Sequence, residues 1–108
     1  MKPSAIALLC ALIGASAGAA RAESATDPAE AGQRVFVEQC SLCHATNDSV
    51  LFGPGLQGVM KQKELVTTGK PPTPANVKSL ILQGQGRMPR IPLDDARLDL
   101  LIAYLKTL

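Results

Sequence analysis

Cys40 and Cys43 stand in the run Cys40-Ser41-Leu42-Cys43-His44, and a Cys-x-x-Cys-His run is the attachment signature of c-type haem. The spacing has a chemical reason. Two thiols held three residues apart add across the two vinyl groups of a porphyrin, and the imidazole next in sequence lies under the iron as its proximal ligand. Two covalent bonds and one coordinate bond thus come from a single turn of chain. Two other chemistries use similar residues. A structural zinc site needs a second pair of Cys or His ligands; His44 is the only histidine, and Cys10 falls in a segment expected to be removed. A thioredoxin-like redox pair belongs to an alternating strand–helix pattern, which this sequence lacks. Attachment of one haem c through Cys40 and Cys43 is the reading that uses all three residues.

An iron held by one imidazole has a sixth position to fill, and what fills it separates electron transfer from chemistry at the metal. With no second histidine, a methionine thioether is the natural donor. Met88 sits in Gly86-Arg87-Met88-Pro89, a loop between two predicted helices from which a side chain can reach in from the far side of the haem. Met60 reads instead as a flexible apolar side chain filling a gap in the core. The expected metal ligands are therefore His44 and Met88. Lys70 or another lysine is the remaining alternative, and nothing in the sequence points to it.

The elements that must position these residues are helical. Asp27-Pro28-Ala29-Glu30 combines an N-cap, a proline at the first helical position and an acid placed to close a capping box, which predicts a helix from Pro28 to about Gln39 leading into the haem motif. Gly32 inside it costs about 1 kcal/mol relative to alanine, either as local weakness or as a point of close contact with another helix. Residues 45–58, with Gly53-Pro54-Gly55, read as a tightly defined loop. A short helix is expected from Val59 to about Val66, then a second loop to Pro72. Thr73-Pro74 repeats the cap signal and opens a helix to about Gln83, stopped by Gly84 and Gly86. The last helix starts after Pro92, with Asp94 as cap, and continues to the C-terminus. Its Leu98, Leu101, Ile102, Leu105 and Leu108 form a stripe facing the core. No stretch alternates as a strand does. The expected fold is all-α, three to four helices around one haem.

Composition agrees with a small exported domain. Met1-Lys2, an apolar run from Ala5 to Ala20, and Ala20-Arg21-Ala22 make a secretory signal peptide with an A-x-A cleavage site. The run is shorter than the roughly 20 residues needed to span a bilayer, and Leu9 before Cys10 argues against a lipoprotein signal. Residues 1–22 are thus a predicted leader and 23–108 the mature domain, with residues 23–27 as its frayed start. No integral membrane segment is expected after cleavage, and the expected location is the periplasm, since c-type haem is attached outside the bacterial cytoplasm. Removing Lys2 and Arg21 brings the net charge of +2 to zero. No basic patch interleaved with aromatics supports nucleic-acid binding. Phe36, Phe52 and Tyr104 are the only aromatics, so the protein core is thin, and a buried haem would supply apolar volume to a domain this small.

Taken in order, these residues resemble a class I cytochrome c over essentially all of 27–108. Gly32 and Phe36 resemble the glycine and aromatic of the family's N-terminal helix; Cys40, Cys43 and His44 are its attachment motif; Gly53-Pro54-Gly55-Leu56 is similar to its Gly-Pro-x-Leu loop. Ile81-x-x-Gly84-x-x-x-Met88-Pro89 resembles the stretch carrying the axial methionine, and Leu101-Ile102-Ala103-Tyr104-Leu105 the C-terminal helix. The resemblance implies thioethers at Cys40 and Cys43, axial His44 and Met88, and a bond from the second ring nitrogen of His44 to the Pro54 carbonyl. It also implies a crossing of the first and last helices at Gly32, near Leu101 and Tyr104. The sequence departs from the family in three ways. It lacks the tryptophan that binds a propionate in some relatives, leaving Arg87, Arg90, Lys70 and Gln57 as open alternatives. It lacks an evident ring of docking lysines. Residues 61–74 match no family motif.

The function expected from this is a soluble periplasmic electron carrier cycling between Fe(III) and Fe(II), not an enzyme. Its redox donor and acceptor proteins would dock transiently at the haem edge near Cys40 and Cys43, bordered by Leu42 and Leu56, with little salt dependence. One alternative is the same domain as the permanent electron-accepting subunit of a periplasmic dehydrogenase. Another is a gas-binding or peroxidatic haem protein, which would require Met88 off the iron.

Overall fold

The computed structural model describes Gly14 and residues 27–108. Apart from Gly14, the expected leader and the tail up to residue 26 lie outside the described residues. The described chain forms α1 (Pro28–Gln39), a single 3-10 turn (Val59–Lys61), α2 (Pro74–Gln83) and α3 (Asp95–Leu105). No strand occurs among the described residues, and an isolated bridge joins Gln85 and Met88. The fold is all-α.

Each helix starts where a polar side chain takes up an orphaned backbone N–H. The Asp27 carboxylate accepts from the Ala29 N–H at 3.0 Å, ahead of a proline in the first turn. That is one residue earlier than a capping box requires, so this cap works through Asp27 and Pro28. Thr73 Oγ1 accepts from the Asn76 N–H at 3.1 Å, and Asp94 from the Arg97 N–H at 2.8 Å. Gly84, at φ 68°, closes α2, a left-handed backbone that glycine adopts without penalty. The last helix ends at Leu105 rather than at the terminus. Thr107 and Leu108 turn back, through N–H bonds to the Tyr104 and Leu105 carbonyls.

The helix expected over Val59–Val66 is reduced to the one 3-10 turn. Gly58 enters it at φ 66°, and Gln62 leaves it extended at φ −70°, ψ 159°. The run Lys61-Gln62-Lys63-Glu64 is wholly exposed, so no apolar face rewards continuing the helix. Leu65 is the residue of this segment that turns inward, and it is buried.

Packing is dominated by α1 against α3. A Cβ on Gly32 would drive into the Leu100 carbonyl and come 2.8 Å from Tyr104 Cβ. Gly32 therefore marks a crossing in which backbone touches backbone, one residue before the Leu101 expected there. Phe36 packs on Tyr104 beside it, ring centroids 5.5 Å apart at 55°, a tilted pair of the favourable kind. Leu98 and Leu101 are 1% exposed, and Val35, Phe36, Ile102 and Leu105 complete the seam. Burial of each large side chain contributes about 1.5–3 kcal/mol. Arg97 pairs with Glu38 at 2.9 Å across α3 and α1, while Lys78 on α2 reaches Asp99 and, at 3.6 Å, Asp95 on α3. The hydrogen bond to Asp99 pushes the Lys78 ammonium above its usual pKa. These are exposed pairs of small net value. The helix crossing is what holds the fold.

Candidate haem site

The attachment motif is a turn folded on the end of α1. Cys40 and Ser41 both donate their N–H groups to the Phe36 carbonyl, at 2.8 and 3.0 Å, and Cys43 and His44 donate theirs to the Cys40 carbonyl, at 3.1 and 2.9 Å. Ser41 Oγ donates to the Val37 carbonyl at 2.6 Å, fastening the turn from outside. Cys40 and Cys43 are both free, half-buried thiols. Burial, with a smaller contribution from neighbouring Cys43, pushes the Cys40 thiol up to about 11.

From His44 the chain enters a loop that returns to hold the imidazole. Gly53 N–H donates to the Cys43 carbonyl at 2.8 Å and Leu56 N–H to the Ala45 carbonyl at 2.9 Å. This places the Pro54 carbonyl 2.8 Å from His44 Nδ1. A carbonyl oxygen only accepts, so Nδ1 carries a proton, and in the neutral ring the lone pair is on Nε2. The glycines of the loop are steric requirements. A Cβ on Gly53 would lie 2.5 Å from His44 Cε1 and 2.9 Å from Nδ1, and one on Gly55 would strike the Asn47 carbonyl and the Asp48 backbone. The ring rests on bare backbone.

Met88 arrives from the other end of the chain. Gln85 and Met88 exchange both backbone bonds at 3.0 Å, and Ile91 N–H donates to the Ile81 carbonyl at 2.9 Å, folding the loop back on α2. Gly86 at φ 58° lets the turn close. A Cβ on Gly84 would stand 2.6 Å from the Met88 carbonyl, so this glycine is also demanded by close approach.

These pieces line one cavity of about 550 Å³, open to solvent on one side, a size suited to a cofactor. Cys40, Cys43, His44, Pro54 and Met88 are all on its wall; Met60 is not. Met60 instead packs against the core cluster. Of the four residues left open as propionate partners, Arg87 lines the cavity, whereas Arg90, Lys70 and Gln57 do not. The walls are apolar, with Val59, Leu65, Val77, Ile81, Leu101 and Leu105 all buried. Leu56 is on the wall, while Leu42, 81% exposed, lies outside it. Leu51, Phe52 and Val66 line the cavity yet remain largely exposed, and so form its rim.

Sequence reasoning missed the contribution of residues 61–74. Gln62, Leu65, Val66 and Thr67 form part of the wall. The one signal available was the apolar pair Leu65-Val66 inside an otherwise polar run. The expected short helix ended at about this pair, whereas the two side chains divide between core and rim.

The donor set suits haem c: two thiols on one turn, an imidazole whose Nε2 is not engaged by the Pro54 carbonyl, a thioether, and walls that would cover an apolar macrocycle. The sequence profile of the family described as "Cytochrome C oxidase, cbb3-type, subunit III" matches residues 27–105. The chain belongs to this family. It is a c-type cytochrome domain, consistent with a class I monohaem cytochrome c. No curated protein matches the chain. A c-type cytochrome domain implies haem c and haem-based electron transfer, and hence redox partners. No helix among the described residues is long and apolar enough to cross a membrane.

Proposed function

We propose that this cytochrome is an exported, periplasmic carrier of single electrons with one covalently attached haem, mature from residue 23. Cys40 and Cys43 would form the two thioethers, and His44 and Met88 would hold the iron. The observation that carries this reading is that Cys40, Cys43, His44 and Met88 all line one largely apolar cavity while Met60 does not. Haem c, when bound, supplies an iron that alternates between Fe(III) and Fe(II). The protein's part is positional. The Pro54 carbonyl holds His44 by Nδ1, which orients the ring and raises the basicity of Nε2. Met88 would contribute a neutral, polarisable donor, and with burial by Leu101, Leu105 and Ile81 it would favour the less charged Fe(II) and a positive potential. The exposed rim of Leu51, Phe52 and Val66 is where a partner would approach, in a small and short-lived encounter.

The test is the intact mass of protein exported by a host that matures c-type cytochromes. A single species starting at Glu23 and carrying one haem that survives acid extraction supports the proposal. An unmodified chain, or haem lost to acid, contradicts it.

A second reading is favoured by the family description, which is that of an oxidase subunit: the same domain held permanently in a larger redox complex. Gel filtration after gentle extraction separates the two. A mass near that of the domain alone supports the free carrier, and co-elution with a larger assembly supports the subunit.

A further inference from the structure

The two loops that complete the cavity wall beside Met88 are joined by one side-chain bond. Gln85 Nε2 donates to the Thr67 carbonyl at 2.8 Å, and among the described residues no other side-chain hydrogen bond connects 61–73 with 84–93. Both residues line the cavity. At one end, Gln85 is paired twice through its backbone with Met88, so wherever Gln85 is held, the Met88 backbone is held as well. At the other end, Thr67 belongs to a loop pinned by buried Leu65, by the Leu65 N–H bond to the Lys70 carbonyl at 2.7 Å, and by Gly69 N–H on the Leu65 carbonyl at 2.9 Å. The Met88 turn follows one glycine of positive φ, Gly84, and contains another, Gly86; its other backbone tie is the Ile91 N–H bond to the Ile81 carbonyl.

We propose that Gln85 is a positioning residue, a latch that ties the Met88 turn to the 61–73 loop and so limits how often the thioether leaves the iron. This rests on Met88 being the axial ligand. A net hydrogen bond of ordinary strength changes such an equilibrium about five-fold. Because Gln85 is exposed, its substitution does not disturb the core.

The experiment compares holoprotein variants by the apparent affinity of the oxidised iron for imidazole, an external ligand that binds when the thioether is off. Gln85→Glu keeps the shape and loses the donor; Gln85→Ala loses both; Gln83→Ala, on the exposed end of α2, is the control; Met88→Ala sets the fully open limit. Expected are imidazole affinities about five-fold tighter in Gln85→Glu and Gln85→Ala, no change in Gln83→Ala, and faster hydrogen exchange at the Leu65 and Gly69 amides in both Gln85 variants. If Met88→Ala opens the iron but both Gln85 variants bind imidazole as the parent does, the latch is wrong and the ligand assignment stands. If Met88→Ala leaves the iron closed, the assignment fails and the latch with it.

Discussion

At the scale of single residues, each group around the cavity is set by a specific neighbour. His44 has its proton fixed on Nδ1 by the Pro54 carbonyl and its ring seated against Gly53. Gly53→Ala should therefore displace the ring, because the added carbon would stand 2.5 Å from Cε1. Over-packing of this kind costs about 1–3 kcal/mol, read as a lower denaturant midpoint of the holoprotein together with a shifted reduction potential. A variant with unchanged potential would mean the loop yields rather than the ring. Met88 and Met60 differ in the same physical sense, one on the cavity wall and one against the core. Met88→Ala should lower the potential and admit external ligands to the iron, and Met60→Ala should do neither. Redox titration of the two variants decides it: opening of the iron by Met60→Ala would reverse the assignment.

At the scale of elements, the decisive contact is α1 on α3. Gly32→Ala sets about 1 kcal/mol of gained helix propensity against a Cβ driven into the Leu100 carbonyl and Tyr104 Cβ. Both partners lie on the packed face of α3 and the nearest atom is backbone, so the clash wins. The variant should unfold at distinctly lower denaturant than the parent, and equal or greater stability would contradict the crossing. The helices and their caps were legible in the sequence because cap chemistry is local: Asp27-Pro28, Thr73-Pro74 and Asp94 act on N–H groups two or three residues away. The haem motif was legible for a similar reason, being five consecutive residues. What escaped was non-local. Leu65 and Val66 look like one apolar pair, but whether they join a helix or split between core and rim depends on α2 and the Met88 turn. The Gln85–Thr67 bond spans 18 residues, and no local pattern announces it.

At the scale of the whole molecule, the helices of the described residues and a few large side chains enclose a cavity on which distant stretches of the chain converge. The attachment motif follows α1, Met88 sits between α2 and α3, and Leu101 and Leu105 of α3 form part of the wall. In the proposed reading the haem would complete the core, and a closed iron would require the Met88 loop to be seated. The most direct measurement is the visible spectrum of the reduced, mature holoprotein before and after adding carbon monoxide. An unchanged low-spin spectrum is predicted, as expected for an iron with His44 and Met88 in place. A rapid conversion to a carbon monoxide adduct would show the sixth position open or labile, and would contradict the account of this protein as an electron carrier.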